Sequence, residues 1–367
     1  MINVSKLRVR ERAFRRLVGL SVCEFEQLVA GVAQEEASQR ALCGGPRVRA
    51  VGAGHPFALA LPERVLAVIL FYRLHLTGHL LSCLFSLDES NLWRDRTQRL
   101  APLLLQVLPI PAQDHLLSAL EPAKDTVRDA PASRDAPASS KSLSEKAPRR
   151  RIGTLKELLE AFPELREAFP ELRDVCADST EQQVPKPKDK RRSRQSYSGK
   201  SQCHTVKAQV TTAKRLILHV TGNVPGALSE RLLLKASGVI RALEEAASPL
   251  KRKAQKGKRP ARLTRRRLRL DRGYSGIEKE FPHCKRVHIL AALKGTRHQK
   301  VTLLGTLWNR VMVSKKRIQV EQNIGHLKNW RVLSGLYRAR VHTHQDTLAL
   351  VAGLHNFHIL GRLNWQP

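Results

Sequence analysis

Three acids in this chain stand where metal-dependent chemistry would put them. Asp178 closes a predicted strand, "RDVCADST". Asp271 closes another, "LRLDRGYSG". Glu321 lies on a predicted helix within "KKRIQVEQNIGHLKNWR". Side chains converge at strand ends in α/β sheets. Converging carboxylates repel one another unless hard divalent cations sit between them. A pair of such ions can activate water or a 3′-hydroxyl and stabilise the leaving oxygen of a phosphodiester. Each acid also has a simpler reading: Asp178 could cap a turn, Asp271 could open the glycine turn, and Glu321 could pair with Arg317. On a helix, Arg317, Glu321 and Lys328 fall within roughly 40° of one another, beside an apolar stripe of Val313, Val320, Ile324 and Leu327. The two cations are thereby placed to handle phosphate next to a metal-bound acid.

The elements expected to carry these residues form a mixed α/β domain. Strand patterns begin after residue 173, with "CHTVKAQVTTA" and "RLILHVTGNV" reading as an antiparallel hairpin. A helix follows, capped by Ser229, then the strand before Asp271, the strand "RVHILAAL", and one long helix over 306–330. The order β-β-β-α-β-α-β-α describes a central sheet covered by helices. Residues 12–109 read as helical. Ser21 is a predicted N-cap before Glu24, Pro62 opens a buried helix, and Thr77–Phe85, a turn at 86–88 and a helix from Glu89 capped by Asp88 make a helix-turn-helix pattern. Exposed Ser90, Asn91, Arg94 and Gln98 on its second helix are candidate DNA contacts.

Residues 121–153 repeat "RDAPAS" in tandem and read as a linker unable to bury a core. "EAFPELR", duplicated at 160–173, reads as a helical turn copied by expansion. The basic run at about 250–267 reads as an insertion contacting a DNA backbone. The domains expected are therefore a helical DNA-binding unit at 1–120, the linker at 121–153, and a catalytic unit at 154–367.

The whole chain carries 65 Lys and Arg against 32 Asp and Glu, a formal net charge of +33. That imbalance points to a polyanionic partner. The apolar run "VLAVILFY" is too short to span a bilayer, and the first residues lack a signal-peptide core, so no membrane partner and a cytoplasmic location are expected. Six cysteines without C-x-x-C pairs indicate neither a zinc site nor a disulfide framework.

The segments "DSTEQQVPKPKDK", "YSGKSQCHTVKAQV", "LDRGYSG" and "RIQVEQNIGHLKNWRVLSGLYR", in that order, resemble the motifs of bacterial insertion-sequence DDE transposases related to Harbinger elements. The N-terminal half resembles the helix-turn-helix domain that precedes the nuclease there. The resemblance implies a ribonuclease-H-like α/β catalytic domain behind an all-α domain, and two Mg2+ or Mn2+ ions on Asp178, Asp271 and Glu321. It implies phosphate handling by Arg317 and Lys328, with Lys200, His204 and Lys207 contacting DNA or supporting the pocket. The partners implied are double-stranded DNA (terminal inverted repeats and target) and a second copy in a synaptic homodimer, in a bacterial, nucleoid-associated setting. Two departures stand out. Ser314 replaces the Tyr that often precedes the Arg, and Ser229-Glu230 replaces a His-Asp pair. They leave open an inactive or domesticated DNA-binding derivative.

Overall fold

The computed structural model describes residues 4–42, 57–111, 158, 174–246, 266–295 and 300–361. The proposed linker, both tandem repeats and the basic run up to residue 265 lie outside them.

The helical part comprises α1 (Val4–Arg8), α2 (Glu11–Val18), α3 (Val22–Leu42), α4 (Leu61–Leu74), α5 (Gly78–Phe85), α6 (Glu89–Arg94) and α7 (Leu100–Val107). Ser21 and Glu24 form a reciprocal capping box at the start of α3: Ser21 N donates to Glu24 Oε2 at 2.7 Å, and Glu24 N to Ser21 Oγ at 3.2 Å. Pro62 lies in the first turn of α4, whose middle is buried on nearly every side. Thr77 caps α5 through Leu80 N. Asp88 stands at the N-cap of α6 but makes no side-chain cap bond. It accepts instead from Ser90 Oγ at 3.4 Å. Between α6 and α7 the backbone widens to a π-helical turn over Asp95–Arg99. There the buried Asp95 takes a two-pronged bond from Arg64 of α4, at 2.8 and 2.9 Å.

The second part contains β1 (Asp174–Gln183), α8 (Lys190–Ser196), β2 (Tyr197–Ser198), β3 (Cys203–Ala213), β4 (Leu216–Pro225), α9 (Glu230–Ala236), α10 (Val239–Ala246), β5 (Arg266–Leu270) and β6 (Val287–Ala291). It continues through α11 (Leu303–Trp308), α12 (Lys315–Lys328), α13 (Arg331–Ser334) and α14 (His344–Gly361). β4, β3 and β1 run antiparallel to their neighbours, and β1, β5 and β6 are parallel. This is the mixed sheet expected. Two expectations change. β1 does not stop at Asp178 but runs on to Gln183, because β3 keeps pairing with it as far as Gln183 opposite Thr205. The single helix expected over 306–330 is α11 and α12 joined by a π-helical turn, Asn309–Ser314; Asn309 turns inward there and bonds both backbone groups of Leu293.

The two parts share one apolar core. α14 is buried along most of its length and packs on β4, α3 and α7. Each fully buried Leu or Phe contributes roughly 1.5–3 kcal/mol. Asn356 Nδ2 donates to the Pro109 and Ile217 carbonyls at 3.1 and 2.8 Å. His358 Nδ1 lies 2.9 Å from Glu24 Oε1. A Cβ at position 353 would collide with Ile110, so glycine there permits this close approach.

Candidate active site

The register of the parallel pair brings the first two acids together. Cys176 of β1 faces Arg269 of β5. Two residues on from each are Asp178, still in β1, and Asp271, immediately past the end of β5. Arg269, buried in β5, donates to Asp174 Oδ1 at 2.8 Å and fixes that register at the strand's start. α12 lies across β1, β3 and β5, held by buried Val320 and Leu327 with Ile324 packed beside them. Cys176 Sγ donates to the Lys316 carbonyl at 3.4 Å; burial pushes this thiol up to about 11, which keeps it unreactive.

Arg317 reaches from α12 into the space between the acids. Its Nη2 donates to Asp178 Oδ2 at 2.8 Å and its Nη1 to Asp271 Oδ1 at 2.9 Å. Glu321 Oε1, one turn along α12, is 3.6 Å from Nη2. One guanidinium thus gathers all three carboxylates. The ion pair that was the plain reading of Glu321 is present, and the other two acids join it. Burial works against the Arg317 charge, but Asp178, Asp271 and Glu321 outweigh it and raise its pKa. Burial also dominates at Asp178 and holds its pKa above the ordinary carboxylate value; Arg317 and the Ser179 N–H offset this only in part.

Lys328 falls outside the cluster. It lies two turns beyond Glu321, roughly 10 Å along the helix. There it lines a small cavity with Glu181, Gln182 and Leu327. Lys207 is buried, its Nζ bonded to the Leu228 carbonyl at 2.7 Å and 3.3 Å from Glu181 Oε1, a network that ties β3 to the segment before α9. His204 Nε2 is 2.9 Å from Ser193 Oγ, holding α8 against β3. Lys200 is exposed. In the helical part Arg94 and Gln98 are exposed and Asn91 is half-buried; Gln98 belongs to the π-helical turn.

One residue of this neighbourhood stood out in the sequence only as a departure from the His-Asp pair, not as part of the site. Glu230 follows the Ser229 cap at the start of α9, and its Oε1 is 3.6 Å from Lys200 Nζ. A Cβ on Gly273, two residues after Asp271, would come 3.0 Å from Glu230 Oε2. The negative charge of Glu230 pushes Asp178 and Tyr274 upward, after burial. Tyr274 is fully buried, its hydroxyl near Ser179 without a well-formed hydrogen bond. The available signal was the acid in "PGALSE": a carboxylate persists at 230 even though the His-Asp pair is replaced.

Carboxylate oxygens from two strands and a helix are the donor chemistry of a hard divalent cation. The guanidinium is the stand-in cation on all three. Among the described residues no group of three or more His, Cys, Asp and Glu is spaced to hold a metal; an ion held by Asp178, Asp271 and Glu321 would take the place that the Arg317 guanidinium now fills. With that condition the residues fit.

Residues 177–356, just under half of the chain, match the family model described as DDE superfamily endonuclease. The match supports a DDE transposase-like protein with nuclease-type activity and DNA as the substrate class, and divalent metals are general in that superfamily. The mixed sheet flanked by helices fits a DDE nuclease domain. No curated protein matches the chain at a significant level. No helix among the described residues is long and apolar enough to cross a membrane.

Proposed function

We propose that this chain is a DNA transposase, which cuts insertion-element ends and joins the freed 3′-OH to target DNA. The observation that carries this reading is the gathering of Asp178, Asp271 and Glu321 on one cation. In this reading the three acids would hold two Mg2+ or Mn2+ ions, which supply Lewis-acid and nucleophile-activating chemistry for phosphodiester displacement. Asp178 and Asp271 come from strands fixed by the β1–β5 register and so are the rigid ligands. Glu321, the most exposed of the three and the farthest from the guanidinium, adjusts to complete the site. Arg317, released from the acids, is placed to bind a substrate phosphate through its fork of donors. Lys200 extends the positive rim. Lys328 serves the site only through DNA that runs along α12.

The ribonuclease-H-like assignment is supported by the sheet of three antiparallel and two further parallel strands with acids on β1 and just after β5. In the helical part, α5 and α6 form the helix-turn-helix reader, with Arg94, Gln98 and Asn91 toward DNA. Two copies synapse two element ends.

The test is nicking of supercoiled plasmid with Mg2+. The wild type should nick, and Glu321→Gln should not while still binding DNA. Equal nicking by both proteins sinks the catalytic assignment. No nicking by either, with DNA binding intact, leaves a decayed DNA-binding derivative.

A further inference from the structure

We infer that α8 and the turn before it form a DNA-backbone clamp beside the acid site. This rests on the nuclease reading for the identity of the polymer. The segment carries Lys186, Lys188, Lys190, Arg191, Arg192 and Arg194, all at least partly exposed, and none is in an ion pair among the described residues. On the helix, Lys190, Arg194 and Arg191 cover about 100° of one face. The segment's remaining polar groups anchor it. Asp189 accepts from Arg192 N at 2.8 Å and caps α8. Ser193 bonds His204 at 2.9 Å, and the Gln195 carbonyl accepts from Ala227 N at 2.9 Å. Tyr197 stacks edge-on against His204 at 5.5 Å. One side of α8 is thus fixed to the β3–β4 end of the sheet while the other holds cations apart in water.

Unpaired like charges on a fixed element repel one another, and a polyanion that binds them releases counterions in return. The position selects the polyanion. From α8 the chain passes to Lys200, whose ammonium is 3.6 Å from Glu230 Oε1. Glu230 lies against Gly273, two residues from Asp271. The basic segment is thereby tied, through Lys200 and Glu230, to the stretch just after Asp271, along which a phosphodiester backbone would pass to reach the acids. Duplex DNA is the occupant this fits.

The experiment uses the full chain in EDTA, with a random-sequence duplex of about 30 base pairs, long enough to cover a typical protein footprint, and fluorescence anisotropy over a salt series. Lys190→Gln, Arg191→Gln, Arg192→Gln and Arg194→Gln are combined in one variant. Removing a cation that neutralises one phosphate flattens the log–log salt dependence by about 0.9, so the slope should fall by roughly two to four. Affinity at moderate salt should drop at least about tenfold, with the melting temperature unchanged. A control combines Arg10, Arg12, Arg15 and Arg16, each changed to Gln, which removes equal charge from exposed positions of the helical part. The control should change the slope less. An unchanged slope in the α8 variant overturns the inference, as does an equal change in the control, or a stronger effect on duplex RNA or anionic vesicles than on DNA. A protein that binds through α8 but never nicks plasmid keeps this inference and sinks the nuclease reading instead.

Discussion

Replacing Arg317 with Met keeps most of the side chain's packing and removes the cation shared by three acids. Arg317 is 12% exposed and Asp178 18%, whereas Asp271 and Glu321 are 43% and 58% exposed. Breaking a fully buried ion pair costs about 3–5 kcal/mol, and this partly buried one with Asp178 should cost about 2–3. The two exposed partners add no more than about 1 kcal/mol between them after solvent screening. For an ordered part of this size each kcal/mol shifts melting by about 2–4 °C, so a loss of about 2–4 kcal/mol should make Arg317→Met in EDTA melt roughly 4–16 °C below wild type. Metal should reverse the order of sensitivity. At a hundred times its dissociation constant a bound ion stabilises by about 2.7 kcal/mol, and the variant receives this without displacing a guanidinium. Differential scanning fluorimetry with and without Mn2+, and calorimetric titration of Mn2+ in the absence of DNA, measure both effects. A variant that melts with wild type in EDTA, or gains no more from Mn2+ than wild type does, refutes the shared-cation argument.

Glu230→Gln should weaken Mn2+ binding by about 1 kcal/mol, roughly fivefold, with little change in melting, since its Lys200 partner is exposed; unchanged Mn2+ affinity in calorimetry would make Glu230 a surface anchor only. Acid should loosen the C-terminal helix. Burial depresses His344 and His355 to about 4 from an ordinary 6.5, so their contribution is whole above 6.5 and is lost as pH falls from there toward 4. The loss is on the order of 3 kcal/mol for each. Melting should fall steeply below pH 6.5, and His344→Gln should flatten that fall; a flat wild-type profile would count against buried neutral imidazoles.

Local signals in this sequence read true where the chemistry is local. The Ser21-Glu24 box and the Ser229 cap formed as their spacing predicts, while Thr77, read as the first residue of its helix, stands just before it as the N-cap. The strands carrying Asp178 and Asp271 were visible because their apolar runs are bounded by polar turns. Asp88 kept its cap position but not its bond. The extension of β1 past Asp178 was illegible because pairing with β3 decides it, and that strand is distant in sequence. The π-helical turn at Asn309–Ser314 answers a tertiary demand, the backbone of Leu293. Lys207, which the resemblance gave as contacting DNA or supporting the pocket, is buried because both faces of β3 are covered. The contact between Glu24 and His358 joins opposite ends of the chain, and no periodicity records it. At the site, spacing placed Arg317 and Glu321 on one face of α12. That the same Arg would also hold Asp178 and Asp271 depends on how the helix lies across the sheet.

The shared core between the helical part and α14 has a geometric consequence. If α6 reads one stretch of DNA while the acids cut another, the separation between the two is a dimension of the folded body. It is set where Gly353 meets Ile110, where Asn356 holds Pro109 and where His358 meets Glu24. Such a protein would measure its cleavage position as a ruler does, by a distance built into the fold.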